Sequence, residues 1–213
     1  PDFEYLLLDE VQNLEGWDLW VSKLYRMGVN MVITGSNAKL LSSEMATLLT
    51  GRYIQIEMLP FSLSEFFTWN HKSLSEAEDN PSDLSLIADY LHHGGYPETV
   101  AARGLTQNYL STLFDSIIWK DIAKRHHVRN VDDLNNLAIY LLSNFCNPFS
   151  ATALADELGL SSVATTQKYM GYLREPYLFY YLPRYNNKLK LMKKAPQKVY
   201  VVDNGFVEAK AFS

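Results

Sequence analysis

The sequence has little cysteine and no long apolar run, and these two shortages exclude whole classes of protein. Cys146 is the single cysteine among 213 residues, so one chain forms neither an internal disulfide nor a cysteine cage for a metal ion. No stretch of about 18 apolar residues is present, and no basic segment followed by an apolar one opens the chain. We therefore expect a globular cytoplasmic protein without a membrane span or a signal peptide.

Two catalytic signatures are missing as well. No glycine is followed by lysine, so the phosphate-binding loop Gly-x-x-x-x-Gly-Lys-[Ser/Thr], whose amides cradle phosphates, is not in the sequence. No serine or cysteine nucleophile motif appears either. The adjacent histidines at 92–93 and 126–127 point to different faces of a helix, so we expect surface or core residues rather than metal ligands.

Charge is distributed unevenly along the chain. Residues 1–100 hold 5 Lys and Arg against 15 Asp and Glu, whereas residues 101–213 hold 14 against 9. The formal net charge of −5 thus combines an acidic front of −10 with a basic back of +5. A basic half of this kind can attract a polyanionic partner.

The front of the chain has the pattern of an α/β unit. Residues 5–8 and 31–34 are apolar runs rich in strand formers, and apolar residues recur between them at helical spacing. This predicts a βαβ unit with parallel strands, whose C-terminal ends, at residues 9–10 and 35–37, meet at the ligand-binding edge of the sheet. A second helix at 38–49 and a third strand at 53–58 are predicted to follow.

The rest of the chain is predicted to be mainly helical. Pro60 breaks the chain, and the helices expected after it cover residues 63–69, 84–93, 105–125 and 131–144. From residue 148 the elements become short, and two capped helices at 151–158 and 163–174 are joined through Gly159. Strands at 177–182 and 198–202 flank a basic loop, so this part is predicted to be a helix-turn-helix with a wing.

The acids at the end of the first strand carry the clearest chemistry. The hexamer Tyr-Leu-Leu-Leu-Asp-Glu at residues 5–10 has the pattern of a Walker B strand. One carboxylate at a strand tip can hold Mg²⁺ beside phosphates, and a second can orient or deprotonate the attacking water. A strand that simply ends in surface acids has the same pattern, so both interpretations stay open on the hexamer alone.

A series of short motifs runs along nearly the whole chain. The front carries Asp9-Glu10-Val11-Gln12 with Trp17, Ile33-Thr34-Gly35-Ser36-Asn37, Leu49-Thr50-Gly51-Arg52-Tyr53 and Leu59-Pro60-Phe61-Ser62. The back carries Gly94-Gly95-Tyr96-Pro97, Lys120-Asp121-Ile122, Arg129-Asn130, Leu142-Ser143-Asn144 and Asp203-Asn204-Gly205. In order and spacing they resemble a prokaryotic AAA-type ATPase family, in which a helical segment and a domain of unknown function follow the ATPase core.

The resemblance assigns roles to the polar residues at the strand tips. It implies that Asp9 is the acid of the magnesium site and that Glu10 is the catalytic base. Ser36, or else Asn37, would be the sensor that hydrogen-bonds the attacking water or the γ-phosphate of ATP.

Arg52 resembles the arginine finger of this family. A planar guanidinium can neutralise transition-state charge on a phosphate held by a neighbouring subunit. The alternative is a surface arginine that pairs with Glu44 or Glu57.

The turn at Gly95, Tyr96 and Pro97 is similar to the segment that contacts adenine in related ATPases. Glycine allows close approach of the backbone, and the Tyr96 ring could stack on a base. A plain turn between two helices explains the same residues equally well.

The family places its phosphate loop upstream of the strand at 5–8. The resemblance therefore implies that this chain alone has negligible affinity for ATP. The strand that leads into the loop normally lies between those at 31–34 and 53–58, and without it both would have unpaired backbone groups.

The C-terminal third could bind DNA. Six Lys and Arg and no acid occur from residue 184 to residue 198, namely Arg184, Lys188, Lys190, Lys193, Lys194 and Lys198. Phosphate contacts from this wing would accompany a recognition helix in the major groove that carries Thr165, Thr166, Gln167 and Lys168. A protein-docking module or a lid on the ATPase core is the alternative, with the lysines merely solvated.

These observations predict an α/β protein in three parts. Residues 1–60 would be part of an AAA-type P-loop NTPase sheet, residues 61–147 a helical lid or linker, and residues 148–213 a winged helix. The intact protein would use ATP and Mg²⁺ as a molecular switch, with a possible homo-oligomer and a DNA or protein partner. The alternative is a non-catalytic DNA-binding or protein-docking module with a degenerate ATPase core.

Overall fold

The computed structural model describes residues 4–36, 52–76, 81–102, 104, 106–188 and 195–211. The chain divides into two units, Pro1–Glu57 and Met58–Ser213. The helix expected at 38–49 lies outside the described residues. No helix among those described is long and apolar enough to cross a membrane.

The first unit contains the predicted βαβ arrangement. Strand β1 (Tyr5–Leu8), helix α1 (Trp17–Arg26) and strand β2 (Asn30–Ile33) follow in that order, and the two strands pair in parallel. One face of the pair packs on the helix, where the buried side chains are Val11, Trp17 and Val21. Alternate residues of each strand face this small core, as the period-2 pattern requires. The prediction of parallel strands is confirmed.

The third strand predicted at 53–58 is not formed, which corrects that part of the predicted sheet. These residues are described, but they belong to no helix or strand, and Ile54 and Ile56 are 91% and 77% exposed. An apolar run becomes a strand only when a neighbouring strand accepts and donates its backbone hydrogen bonds. Among the described residues, β2 pairs with β1 alone.

The second unit begins with helices. Helix α2 (Leu63–Trp69) starts at a capping box in which Ser62 and Glu65 satisfy each other's backbone N–H groups. The helices that follow are α3 (Pro81–His93), α4 (Pro97–Ala101), α5 (Thr106–Ser116) and α6 (Val131–Ser143). The single helix predicted at 105–125 is in fact α5 followed by a π-helical stretch, Ile117–Lys124.

The end of the chain alternates short strands and helices. Strand β3 (Pro148–Phe149) precedes helices α7 (Ala151–Glu157) and α8 (Val163–Arg174), which are capped by Ser150 and Ser162. An antiparallel hairpin of β4 (Phe179–Pro183) and β5 (Gln197–Val201) follows, and helix α9 (Gly205–Lys210) comes last. The three strands form one sheet in the order β3-β5-β4.

One hydrophobic core serves most of the second unit. Its fully buried members come from the predicted linker and from the predicted winged helix alike, for example Phe114, Leu137, Leu173 and Phe206. Helix α9 packs against α3, α5 and α6. The C-terminal elements are therefore held on the helices that precede them.

Candidate functional site

The tips of β1 and β2 bring polar side chains together at one edge of the parallel pair. Thr34 donates its hydroxyl to Asp9, and the Glu10 N–H donates to Thr34 Oγ1 over 3.3 Å. Ser36 Oγ donates to Glu10 Oε2 over 3.2 Å. The predicted acid pair and the predicted sensor serine are therefore neighbours, whereas Asn37 lies outside the described residues.

The backbone shows why these side chains meet. The ladder continues past the strand ends, since Thr34 N–H donates to Leu8 O over 2.8 Å and Val11 N–H donates to Thr34 O over 3.4 Å. Glu10 lies between these contacts with φ 47° and ψ 45°. A non-glycine residue in this left-handed region stores about 1–3 kcal/mol of strain, and such strain clusters at functional sites.

The oxygen groups at this edge suit a metal ion that is bound by protein and substrate together. Mg²⁺ prefers oxygen ligands, keeps several waters, and is commonly bound by one or two carboxylates together with substrate phosphates. Among the described residues, no group of three or more His, Cys, Asp and Glu side chains could cage a metal. Asp9 is a candidate ligand for a magnesium ion that phosphates and water also bind.

Arg52 lies in the first unit, where it contacts the ring of Tyr25. Its guanidinium carbon is 5.8 Å from the centre of the Tyr25 ring, and the residue is exposed. The predicted alternative partner Glu44 lies outside the described residues. The arginine-finger role stays a prediction.

The Gly94-Gly95-Tyr96-Pro97 turn is bound to the far end of the chain. Asp203 is 4% exposed, and its carboxylate accepts from Gly95 N–H over 2.6 Å and from Gly205 N–H over 2.8 Å. On its other side, Gly95 O accepts from Phe61 N–H over 2.7 Å. We call Phe61, Gly95, Asp203 and Gly205 the joint, because these four residues tie three distant parts of the chain together.

Glycine is required at Gly95 of the joint and at the neighbouring Gly94, because neither position has space for a side chain. A Cβ atom on Gly94 would overlap the carboxylate of Asp203, and one on Gly95 would overlap the backbone oxygen of Phe61. Gly94 also has φ +73°, which side chains rarely adopt. Close approach of the backbone to adenine was predicted at this turn. In the structure the group that lies against the backbone is the buried carboxylate of Asp203.

Tyr96 packs into the core beside the joint. Its ring meets Phe206 edge to face, with ring centres 5.4 Å apart. Burial raises the pKa of its hydroxyl well above the ordinary range, and the charge of Asp203 acts in the same direction. These contacts favour the plain-turn interpretation, and adenine stacking by Tyr96 stays a prediction.

Asp203 gives the joint a dependence on pH. Burial raises the pKa of Asp203 above its ordinary 3.8, although the N–H donors of Gly95 and Gly205 act to lower it. Because the folded-state pKa is the higher one, stability from this group is complete below the unfolded pKa and is lost as pH rises through the folded pKa. Asparagine at this position does not titrate.

We therefore expect the stability of the wild-type chain relative to Asp203→Asn to fall as pH rises from the ordinary carboxyl pKa of 3.8 towards neutrality. Asp203→Ala should be the worse variant, because it leaves both N–H groups buried without their acceptor, at about 1–3 kcal/mol each. Urea unfolding of the three proteins across this range measures both effects. A wild-type advantage that grew with pH would contradict the assigned direction.

The residues predicted to contact DNA are only partly available. Thr166 is fully buried and its hydroxyl donates to Ser162 O over 3.1 Å, which corrects its prediction as a base contact. Thr165 is engaged at the start of α8, where its hydroxyl lies 3.0 Å from that of Ser162. Lys168 is exposed, with its ammonium 5.7 Å from the centre of the Tyr172 ring.

The basic hairpin is described only in part. Arg184 and Lys188 are exposed, whereas Lys190 and Lys193 lie outside the described residues.

His126, from one of the adjacent histidine pairs, has its Nε2 2.7 Å from Glu175 Oε2 and stacks on Tyr172.

Sequence reasoning missed two residues of these sites. Thr34 ends the same apolar run that was used to place Ser36, so the strand-tip argument applied to it as well. Asp203 belongs to the motif Asp203-Asn204-Gly205, but nothing in the sequence indicated its role, because its partner Gly95 lies 108 positions away.

Comparison with protein families decides the affiliation of the chain. Residues 84–211, more than half of the sequence, match the model of a domain of unknown function, DUF8612. The chain belongs to this family. Ahead of the DUF8612 region, residues 2–67 match an AAA domain, which suggests a P-loop ATPase-like region at the front.

Two relatives of this DUF8612 protein are uncharacterized proteins. One, from Haemophilus influenzae, is 37% identical over 94% of the chain and 51% of its own length. The other, from Methanocaldococcus jannaschii, is 30% identical over 98% of the chain and 49% of its own length. The chain thus spans about half the length of these relatives. No solved structure matches it significantly.

Proposed function

We propose that the intact protein is an ATP-binding and ATP-hydrolysing switch of the AAA class, which couples its nucleotide state to a partner held by the C-terminal part. The observation that carries this proposal is the contact of Asp9 and Glu10 with Thr34 and Ser36 at one edge of a parallel strand pair. This edge lies within the region that matches an AAA domain.

Each polar group at this edge has a role in the proposal. Asp9 holds Mg²⁺ through water, and its bond from Thr34 fixes the orientation of the carboxylate. Glu10 orients or deprotonates the attacking water. Ser36 is the proposed sensor of the γ-phosphate, and its hydrogen bond to Glu10 links that sensor to the catalytic base. Asn37 remains the alternative sensor, and Arg52 acts on the site of a neighbouring subunit.

We propose the joint as the part of the coupling route that lies in the second unit. Phe61 lies within the match to the AAA domain, whereas Gly95 and Asp203 lie within the DUF8612 match. The bond from Phe61 N–H to Gly95 O and the bond from Gly95 N–H to Asp203 therefore connect the two family regions inside one unit. A shift of Phe61 must either move Gly95 or break a buried hydrogen bond.

The C-terminal part is proposed to be a winged helix. Helices α7 and α8 are joined through Gly159, which has φ +62° and ends the first of them. The sheet order β3-β5-β4 and the basic hairpin that follows α8 support this interpretation. A non-catalytic DNA-binding or docking module is the second candidate, because the exposed Lys168, Arg184 and Lys188 need no nucleotide to bind phosphate.

Hydrogen exchange tests the coupling. In the intact protein, Mg-ATP in place of Mg-ADP should change the exchange rates of the Phe61 and Gly95 amides, because both donate within the joint. The amide of Leu154, which donates to Ser150 O in α7, is the control and should not respond. Unchanged joint amides in a protein that binds both nucleotides would contradict coupling through the joint and favour the second candidate.

A further inference from the structure

The outer face of the β4–β5 hairpin carries flat aromatic side chains. Tyr180 pairs with Tyr200 and Leu182 pairs with Lys198 across the two strands. Residues opposite each other in a sheet share one face, so these four side chains lie on the same side. Tyr180 and Tyr200 are each 36% exposed and Leu182 is 57% exposed.

The opposite face of the same hairpin is the core face. Phe179 and Val199 are 0% and 1% exposed, and the Tyr181 ring packs edge to face on Phe149. The alternation is therefore regular, and burial of Phe179 and Val199 fixes which residues point outward. The outer tyrosines are held on a sheet that the core anchors.

Positive charge borders the outer face, and no acid interrupts it along the chain. The sequence from residue 176 to residue 202 contains six Lys and Arg and no Asp or Glu. Of the described cations, Lys198 lies in the sheet beside Leu182, while Arg184 and Lys188 follow β4. Between them, Tyr185 is 82% exposed.

We propose that this face, made of Tyr180, Leu182, Lys198 and Tyr200, is a binding platform for single-stranded nucleic acid. Unpaired bases stack on the tyrosine rings, and the cations neutralise the phosphates along the strand. Paired bases keep their faces inside the duplex, so a stacking platform selects unpaired ones. The buried Thr166 and the engaged Thr165 weaken the alternative in which α8 reads duplex DNA.

The platform identifies single-stranded nucleic acid as the partner class of the proposed switch. Only this link to the switch rests on the proposed function. Binding is measured without nucleotide, so a protein that hydrolyses no ATP can still bind the strand. Conversely, loss of the platform leaves the edge at Asp9 and Glu10 intact. The two proposals therefore fail in different experiments.

Fluorescence anisotropy with labelled oligothymidylate of about 15 nucleotides, with a duplex of equal length for comparison, tests the platform. Tyr180→Leu and Tyr200→Leu should each weaken single-strand binding about five- to hundredfold, because leucine keeps apolar bulk but offers no flat ring. Tyr180→Phe should retain the affinity. Tyr53→Leu is the matched control, because Tyr53 is likewise 36% exposed.

Charge reversal gives a second measurement that does not disturb the rings. Arg184→Glu and Lys198→Glu should each weaken binding and flatten the plot of log affinity against log salt by about one. The same substitutions at exposed positions are expected to preserve the fold, which near-unchanged melting temperatures would verify.

Photo-crosslinking to bromodeoxyuridine oligonucleotides locates the strand on the wild-type protein and needs no variant. Crosslinks to the peptide that contains Tyr180 or Tyr200 support the platform. Crosslinks confined to α8, duplex binding as tight as single-strand binding, or equal affinities of Tyr180→Leu and Tyr53→Leu would each overturn it.

Discussion

Replacing Glu10 with Gln in the intact protein should abolish ATP turnover while ATP binding persists. Glutamine preserves the size of the side chain and can still accept from Ser36 Oγ, but it cannot take a proton from water. General-base catalysis contributes about 10²- to 10⁴-fold, so the rate should fall by at least that much. The metal and phosphate contacts do not use this carboxylate in the proposed site.

The matched control for Glu10→Gln is Glu15→Gln. Glu15 is exposed and lies in the turn between β1 and α1, so its removal should leave kcat unchanged. Steady-state phosphate release and equilibrium binding of Mg-ATP are measured for both variants. Turnover by Glu10→Gln at the wild-type rate would remove Glu10 from the mechanism.

Replacing Gly95 with Ala should unfold the second unit or come close to it. The added methyl group would overlap the backbone oxygen of Phe61, which cannot rotate away as a side chain can. Overpacking costs about 1–3 kcal/mol. If the turn moves to relieve the overlap, the bond from the residue 95 N–H to buried Asp203 is also lost, which adds about 1–3 kcal/mol. Together these amount to about 2–6 kcal/mol, which reaches the lower end of the about 5–15 kcal/mol that stabilises an average domain.

The control for Gly95→Ala is the same substitution on α8. Gly171 is exposed in that helix and has no atom within 4 Å of an added Cβ, so Gly171→Ala should stabilise the chain by about 0.5–1 kcal/mol. Thermal and urea unfolding of the two variants should therefore shift in opposite directions. Equal stability of Gly95→Ala and the wild type would refute the close packing at the joint.

Elements with strong local signals were predictable from the sequence. Two capped helices were predicted, and α7 and α8 begin after Ser150 and Ser162, because an N-cap is decided within four residues. For α8 the sequence alone does not decide between Ser161 and Ser162. The parallel pair of β1 and β2 followed from two apolar runs and one crossover helix. The strand predicted at 53–58 failed because pairing is a long-range requirement that an apolar run does not reveal.

The same difference between local and long-range signals applies to the candidate sites. Asp9, Glu10 and Ser36 were placed together because parallel strands end at one edge of a sheet. In the structure Ser36 bonds Glu10 there, and Asp9 accepts from the neighbouring Thr34. Thr166 was misplaced because the spacing of α8 alone does not show which side meets the core. The bond between Gly95 and Asp203 was beyond sequence reasoning, since only the packing of α9 brings residue 203 to the turn.

Calorimetric titration with Mg-ATP tests the central claim most directly, when it is applied to the intact protein and to residues 1–213 alone. In the proposed site, Asp9 and Glu10 supply the metal and water side, whereas phosphate binding requires a glycine-lysine loop that this sequence does not contain. We expect Mg²⁺-dependent ATP binding by the intact protein and none by residues 1–213. Micromolar binding by residues 1–213, or no binding by the intact protein, would contradict it.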